Sequence, residues 1–181
     1  MKFSYPPHFA HDNEPAMWQN PYEFRMTIKF LESIETKSVL EIGTGYGLFA
    51  KFLREIDIKV KSIDSKPAGL PLNEDNIYIG DSTLNLASIW ALNQSPGLYD
   101  VVYIDGGHDY RTCYHDYITY SKLARKAVMI HDIGGNQSGK YPVNVGPALV
   151  WKRIRWEERT MEIHDKSPFN CGVGICIIGG I

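Results

Sequence analysis

Apolar positions along this chain alternate between two spacings. Over 22–34 they fall at Phe24, Ile28, Leu31 and Ile34, the spacing of one face of a helix. The next run, 38–42, is short and apolar, as a buried strand would be. A helix follows over 48–56, with Leu48, Phe49, Phe52 and Leu53 on one face. The two patterns then keep trading places. Strands are expected at 59–63, 77–79, 100–104 and 127–130, and helices at 83–92, 112–124 and 148–156. The tail offers 160–163 and 173–178 as a closing pair of strands.

Strand and helix in alternation imply an α/β fold: a doubly wound, mostly parallel seven-stranded sheet with helices on both faces, Rossmann-like in plan. The 181 residues read as a single domain, with an N-terminal segment and helix over 1–37 and the core over 38–181. In such sheets ligands sit beyond the carboxyl ends of the strands, where the strand order switches. Five successive strands deliver an acid to that rim: Glu41, Asp64, Asp81, Asp105 and the pair His131-Asp132. One such acid is a common turn residue or helix cap. Five in order exceed what capping explains.

Charge and cysteine content narrow the class. With 19 basic and 21 acidic side chains, no electrostatic reason exists to expect nucleic acid or an acidic membrane as partner. Three cysteines, Cys113, Cys171 and Cys176, form no C-x-x-C pair, and their odd number argues against a disulfide framework. They read as reduced thiols of a cytoplasmic protein. Residues 1–7 lack the apolar core of a signal peptide, and no window approaches the length of a bilayer span. Oligomeric state is left open, although aromatics among the first twenty residues offer a partner surface.

The strand at 38–42 runs into Glu41-Ile42-Gly43-Thr44-Gly45-Tyr46-Gly47, an E-x-G-x-G-x-G pattern. Glycine at alternate positions lets backbone approach a ligand with no Cβ between them. The G-x-G-x-x-G fingerprint of nicotinamide and flavin binding is not met, because its third glycine slot falls on Leu48. The pattern resembles motif I of the class I S-adenosylmethionine-dependent methyltransferases. That resemblance implies S-adenosyl-L-methionine as cofactor, with Glu41 near its methionine end and Gly43, Thr44, Gly45, Tyr46 and Gly47 cradling it. The amides at the start of the following helix suit the cofactor's carboxylate, and Tyr46 reads as packing. Asp64, beside Ser65, lies at the separation where α/β folds place an acid on a ribose, its alternative role being the cap of the 65–67 turn. Asp81 and Ser82 suit the adenine amine, and either would equally cap the helix after them.

A second signal is the strand 100–104 ending in Ile104-Asp105-Gly106-Gly107-His108-Asp109-Tyr110, together with the later Ile130-His131-Asp132-Ile133. With the Gly146-Pro147-Ala148 turn and Val150-Trp151, these residues resemble a branch of the same methyltransferases. It comprises metal-dependent small-molecule O-methyltransferases akin to macrocin O-methyltransferase and the cephalosporin hydroxylase component. The resemblance implies methyl transfer to an oxygen of a small molecule, with Asp105, His131 and Asp132 around a divalent metal, magnesium or manganese, Asp105 also beside the cofactor, and His108 as general base. The chain departs from the branch at His131, where relatives often carry glutamate; a ring nitrogen suits softer divalent ions better than magnesium. A packed histidine bonded to backbone is the alternative. Five of the six histidines precede an aspartate, so only its place at a strand end distinguishes His131-Asp132. Two further readings stay open, a non-catalytic S-adenosylmethionine-binding protein and a nucleotide-dependent oxidoreductase on a similar sheet. The aromatic segment with Phe9, Met17, Trp18 and Tyr22, and the glycine-rich loop 134–145, are candidates to cover the rim.

Overall fold

The computed structural model describes residues 20–67, 74–95, 97–134, 145–156, 159–166 and 171–179. Asn20 opens the first helix, α1 (Pro21–Ser33): its side chain accepts from the amides of Tyr22 and Glu23, and Pro21 adds a preset φ at the first helical position. The chain then runs β1 (Ser38–Ile42), α2 (Leu48–Glu55), β2 (Lys59–Asp64), β3 (Ile77–Ile79), α3 (Asn85–Asn93), β4 (Tyr99–Ile104) and α4 (Tyr110–Tyr120). It closes with β5 (Ala124–His131), α5 (Val145–Ile154), β6 (Arg159–Ile163) and β7 (Val173–Ile177).

The seven strands form one sheet in the order β3-β2-β1-β4-β5-β7-β6. The first five are parallel, and β7 runs antiparallel between β5 and β6. Side chains from α1 and α2, among them Phe24, Leu31, Phe49 and Leu53, pack with Val39, Val101 and Met129 on one face. Helices α3, α4 and α5 cover Leu40, Ile42, Val102, Ile104 and Ile130 on the other. Covered on both faces, the central strands need apolar side chains at successive positions rather than at alternate ones. Truncating Leu40 or Ile104 to alanine would cost about 2–5 kcal/mol.

Some element limits differ from the sequence pattern, for local reasons. The helix expected from 83 starts only at Asn85, behind an uncapped Leu84, because Asp81 spends its carboxylate on a turn with Thr83. The helix expected over 112–124 starts at Tyr110, where Asp109 accepts from the Thr112 amide at 3.0 Å, and gives way to a 3₁₀ turn at Ser121–Leu123. Strand β5 is correspondingly longer than 127–130 and carries His131 inside it.

At the amino end of the sheet, buried Asp100 joins β1, β4 and β5. One oxygen accepts from the Lys37 and Ser38 amides, and the other receives the Arg125 guanidinium at 2.7 Å. Burial works against its charge, but these donors hold the carboxyl below the usual range. The carboxyl end of the sheet is left for ligands. Strand β1 lies between β2 and β4, so the chain leaving β1 passes close to the chain leaving β4, and the crevice opens there. Among the described residues no helix is long and apolar enough to cross a membrane.

Candidate active site

The turn after β1 has room for nothing but glycine at its start. Gly43 has φ 85°, and a Cβ there would stand 2.2 Å from the Asp105 carbonyl oxygen. Gly45 and Gly47 are also left-handed, at φ 50° and 72°. Gly47 is the N-cap of α2 and supplies no side-chain cap, so the helix's first amides keep their donors for a ligand. Asp64, the last residue of β2, grips this turn: Oδ2 accepts from the Thr44 amide at 2.9 Å and the Gly45 amide at 2.8 Å. Its other oxygen accepts from the Lys66 amide at 2.7 Å, so the cap of the following turn is realised as well. Three of its roughly four acceptor positions are thus engaged by backbone.

Below the turn, Glu41 shares a row of the sheet with Ser62 and Tyr103. Burial pushes its carboxyl up to about 7, against the Ser62 hydroxyl, which donates to Oε2 at 2.8 Å. The nearby Asp105 charge adds to the rise.

A cavity of about 610 Å³ opens on these groups. It is lined by every residue the sequence assigns to the cofactor except Gly47, and by His108. Asp81 and Ser82 belong to its wall. Asp81 is exposed, and its Oδ1 accepts from both the amide and the hydroxyl of Thr83, which hold the carboxyl below its usual range. Neither residue caps α3, so that alternative is not what the fold uses.

The rim beyond Asp105 gathers two histidines and two acids. His108 Nε2 lies 3.1 Å from Asp132 Oδ2. His131 Nδ1 lies 3.2 Å from Asp105 Oδ1 and 3.3 Å from Asp132 Oδ1. Burial by itself would lower the pKa of His131, but the two carboxylates outweigh it and raise it to about 10. Asp132 has φ 62°, a left-handed conformation that a non-glycine residue adopts at a cost of about 1–3 kcal/mol. The chain after it is tied to the strand end opposite: Ile133 N–H donates to Gly172 and Gly134 N–H to Cys171. From the other side Gly146, at the start of α5, packs against the backbone of the His108 loop, where a Cβ would stand 2.3 Å from the His108 carbonyl oxygen.

Asp105, His131 and Asp132 offer ligand atoms within 4.8 Å of one another. Neither ring nitrogen of His131 has a hydrogen bond of good geometry among the described residues, so the packed, backbone-bonded histidine is not what the fold contains. Two carboxylates and an imidazole without a backbone partner fit a divalent cation, which the ring would bind on giving up its proton, the nitrogen favouring ions softer than magnesium.

Several groups at this site carry no signal at a strand end. Glu23 of α1 is fully buried; Oε1 accepts from the Gly172 amide at 2.9 Å, and Oε2 has no partner among the described residues. Its charge reaches Tyr103, His131 and Cys171. Burial, then these acids, pushes the Tyr103 hydroxyl well above its ordinary value, and burial with Asp132 pushes the Cys171 thiol up to about 12. Both stay protonated. Glu23 was findable, since with Thr27 and Leu31 it forms a buried stripe at helical spacing. Phe9, Met17, Trp18 and residues 135–144, the expected cover, lie outside the described residues.

No protein-family model and no curated protein matches this sequence. Solved structures do match the fold, several of them methyltransferases. An O-methyltransferase from Bacillus cereus in complex with S-adenosylhomocysteine superposes with a TM-score of 0.66 at 14% identity, over 89% of this chain and 82% of that one. TomG, an O-methyltransferase of tomaymycin synthesis from Streptomyces achromogenes in complex with S-adenosylmethionine, gives 0.61 at 16% identity, over 87% and 79%. The MycE methyltransferase of mycinamycin biosynthesis, in complex with magnesium, S-adenosylhomocysteine and mycinamycin VI, gives 0.57 at 15% identity, over 84% and 48%.

Proposed function

We propose that this chain is an S-adenosylmethionine-dependent methyltransferase that acts on an oxygen of a small molecule. One observation carries the reading: a single cavity runs from the glycine turn and Asp64, past Asp105, to His108. It joins a cofactor cradle to a proton acceptor. Two of the three structures named above hold S-adenosylhomocysteine and one S-adenosylmethionine, and MycE also holds mycinamycin VI and magnesium, which supports the same reading here.

The chain's own groups divide the work. Asp64 fixes the glycine turn and keeps one acceptor position for a ribose hydroxyl, while Asp81 and Ser82 bound the adenine end. Glu41, protonated over half the time below pH 7, presents a neutral carboxyl rather than a second anion beside Asp105. The acceptor hydroxyl is brought in line with the sulfonium methyl, about 3 Å away. Asp132 holds the Nε2 edge of His108, which leaves Nδ1 to take the proton from that hydroxyl. A divalent ion held by Asp105, His131 and Asp132 would supply Lewis acidity, lowering the pKa of the acceptor hydroxyl.

The test is isothermal titration of S-adenosylmethionine and S-adenosylhomocysteine, with magnesium, manganese or EDTA present. Micromolar binding is expected in at least one of these conditions. Absence of binding in all of them would remove the methyltransferase reading.

A further inference from the structure

Helix α3 differs from the other helices in what it turns outward. Its inner side is small: Ala87 and Ala91 are fully buried, and Trp90 leans on Tyr78 of β3 with ring centroids 5.8 Å apart. On the side away from those alanines run Leu86, Ile89 and Leu92, spaced three residues apart and 50% to 65% exposed. Leu84, just ahead of the helix, is 54% exposed. The other helices put charge in such positions: Lys29 of α1, Lys51 of α2, Arg111 of α4 and Lys152 of α5 are all exposed. No charged residue occurs anywhere from Ser82 to Leu98, although charged residues make up 22% of the chain. A helix that is apolar on every side is normally a covered one.

The order of residues in α3 says what would cover it. Asn85-Leu86-Ala87-Ser88-Ile89-Trp90-Ala91-Leu92-Asn93 reads nearly the same in both directions about Ile89, broken only by Ser88 and Trp90. When two copies of a helix pack antiparallel across a twofold axis at Ile89, each residue meets the one equally far beyond the axis. Leu86 of one copy then lies against Leu92 of the other, Ile89 against itself, and Asn85 against Asn93, whose amides both donate and accept. Apolar groups face apolar groups, and no charge is left to bury. An unrelated partner would gain nothing from this symmetry. The area is sufficient as well. A leucine in an extended chain exposes about 180 Å², so Leu84, Leu86, Ile89 and Leu92 offer roughly 400 Å² of apolar surface per copy. Homodimer interfaces are about 65% apolar, so the pair would bury roughly 1,200 Å² in total, at the lower end of specific interfaces.

We propose that the chain forms a twofold-symmetric dimer through antiparallel packing of α3 against α3 of a second copy, with Ile89 on the axis. The pairing goes beyond the methyltransferase reading and does not depend on it, since Leu86, Ile89 and Leu92 are not among the residues lining the cavity. Because the same patch serves both copies, the contact closes on itself and stops at two.

The experiment is sedimentation velocity of the full chain over a concentration series reaching about 100 μM. Wild type is expected to pass from monomer to dimer and no further. Ile89→Glu sets two carboxylates against each other on the axis and is expected to weaken the dimer about tenfold or more, as is Ile89→Lys with two ammonium groups. An equimolar mixture of these two variants is expected to recover the dimer, because the axis then joins opposite charges. Only a residue that meets itself behaves in this way. The substituted side chain is half exposed, so both variants are expected to fold; Leu86→Gln with Leu92→Gln, which adds no charge, makes the same comparison if they do not. A wild type that stays monomeric throughout the series would overturn the proposal. So would a dimer that Ile89→Glu leaves intact, since its interface would lie on another surface. Failure of the mixed variants to associate would overturn the placing of Ile89 on the axis.

Discussion

His108 Nε2 approaches Asp132 Oδ2 to 3.1 Å, and it does so across a backbone that holds Asp132 left-handed at φ 62°. A conformation that a β-strand would not otherwise end in has been kept where it aims a carboxylate at a half-exposed histidine. The strain and the pairing together support the proposed role of His108 as the base.

Replacing His108 by alanine is accordingly expected to lower turnover by about 10²–10⁴-fold, with affinity for S-adenosylhomocysteine within twofold of wild type. Release of S-adenosylhomocysteine from phenolic and catechol acceptors measures the first, and calorimetry the second. Activity at wild-type level in the variant would remove His108 as the base.

Asp64 holds the glycine turn and is proposed to bind the ribose as well, and its loss is expected to show in both. Asp64→Ala leaves the amides of Thr44, Gly45 and Lys66 without their acceptor. Cofactor affinity is expected to fall at least tenfold, and stability by about 1–3 kcal/mol. Calorimetry and denaturant unfolding read the two separately. Unchanged affinity in a folded variant would sink the ribose assignment.

The donor set at the rim makes a statement about ion preference. Manganese is expected to bind more tightly than magnesium, because His131 contributes nitrogen. Asp105→Asn and Asp132→Asn are expected to abolish binding, seen as return of the free-ion signal in manganese paramagnetic resonance. His131→Asn is expected to narrow the gap between the two ions. Equal affinities for both in wild type would count against ligation by His131.

Stability is expected to depend on pH through Asp116. Its carboxyl is raised from an ordinary 3.8 to about 7 in the folded chain. Between those values the unfolded chain gives up the proton while the folded chain keeps it, so this group lowers stability as pH rises from about 4 to about 7. Above 7 its contribution levels off. Asp116→Asn removes it, and the variant is expected to gain on wild type by roughly 2–4 kcal/mol between pH 4 and pH 8. Urea unfolding at a series of pH values checks this; parallel curves would mean that the carboxyl titrates normally.

The residues also show how far a linear reading reaches. The alternation of strands and helices, the glycine turn and the order of acids at strand ends were legible because each is local. A strand announces itself by its apolar run, and a turn by glycines whose φ no other residue tolerates. The limits of α3 and α4 were less legible, since side chains of Asp81 and Asp109 decide them through turns that several sequences could form.

By itself, then, the sequence determined the α/β architecture, the position of the glycine turn and the set of acids at the rim. Tertiary structure decided which of those groups meet. Strand order set β1 between β2 and β4, bringing Asp64 onto the glycine turn and Asp105 against Gly43. The pairing of β7 with β5, and the packing of α1 beside them, brought Glu23 toward the His131 site. The face of α4 turned Asp116 inward behind Ser82 and Gly106. Such meetings depend on distances between elements far apart in the chain, and a residue's local pattern records its own element's burial, not the identity of what it is buried against.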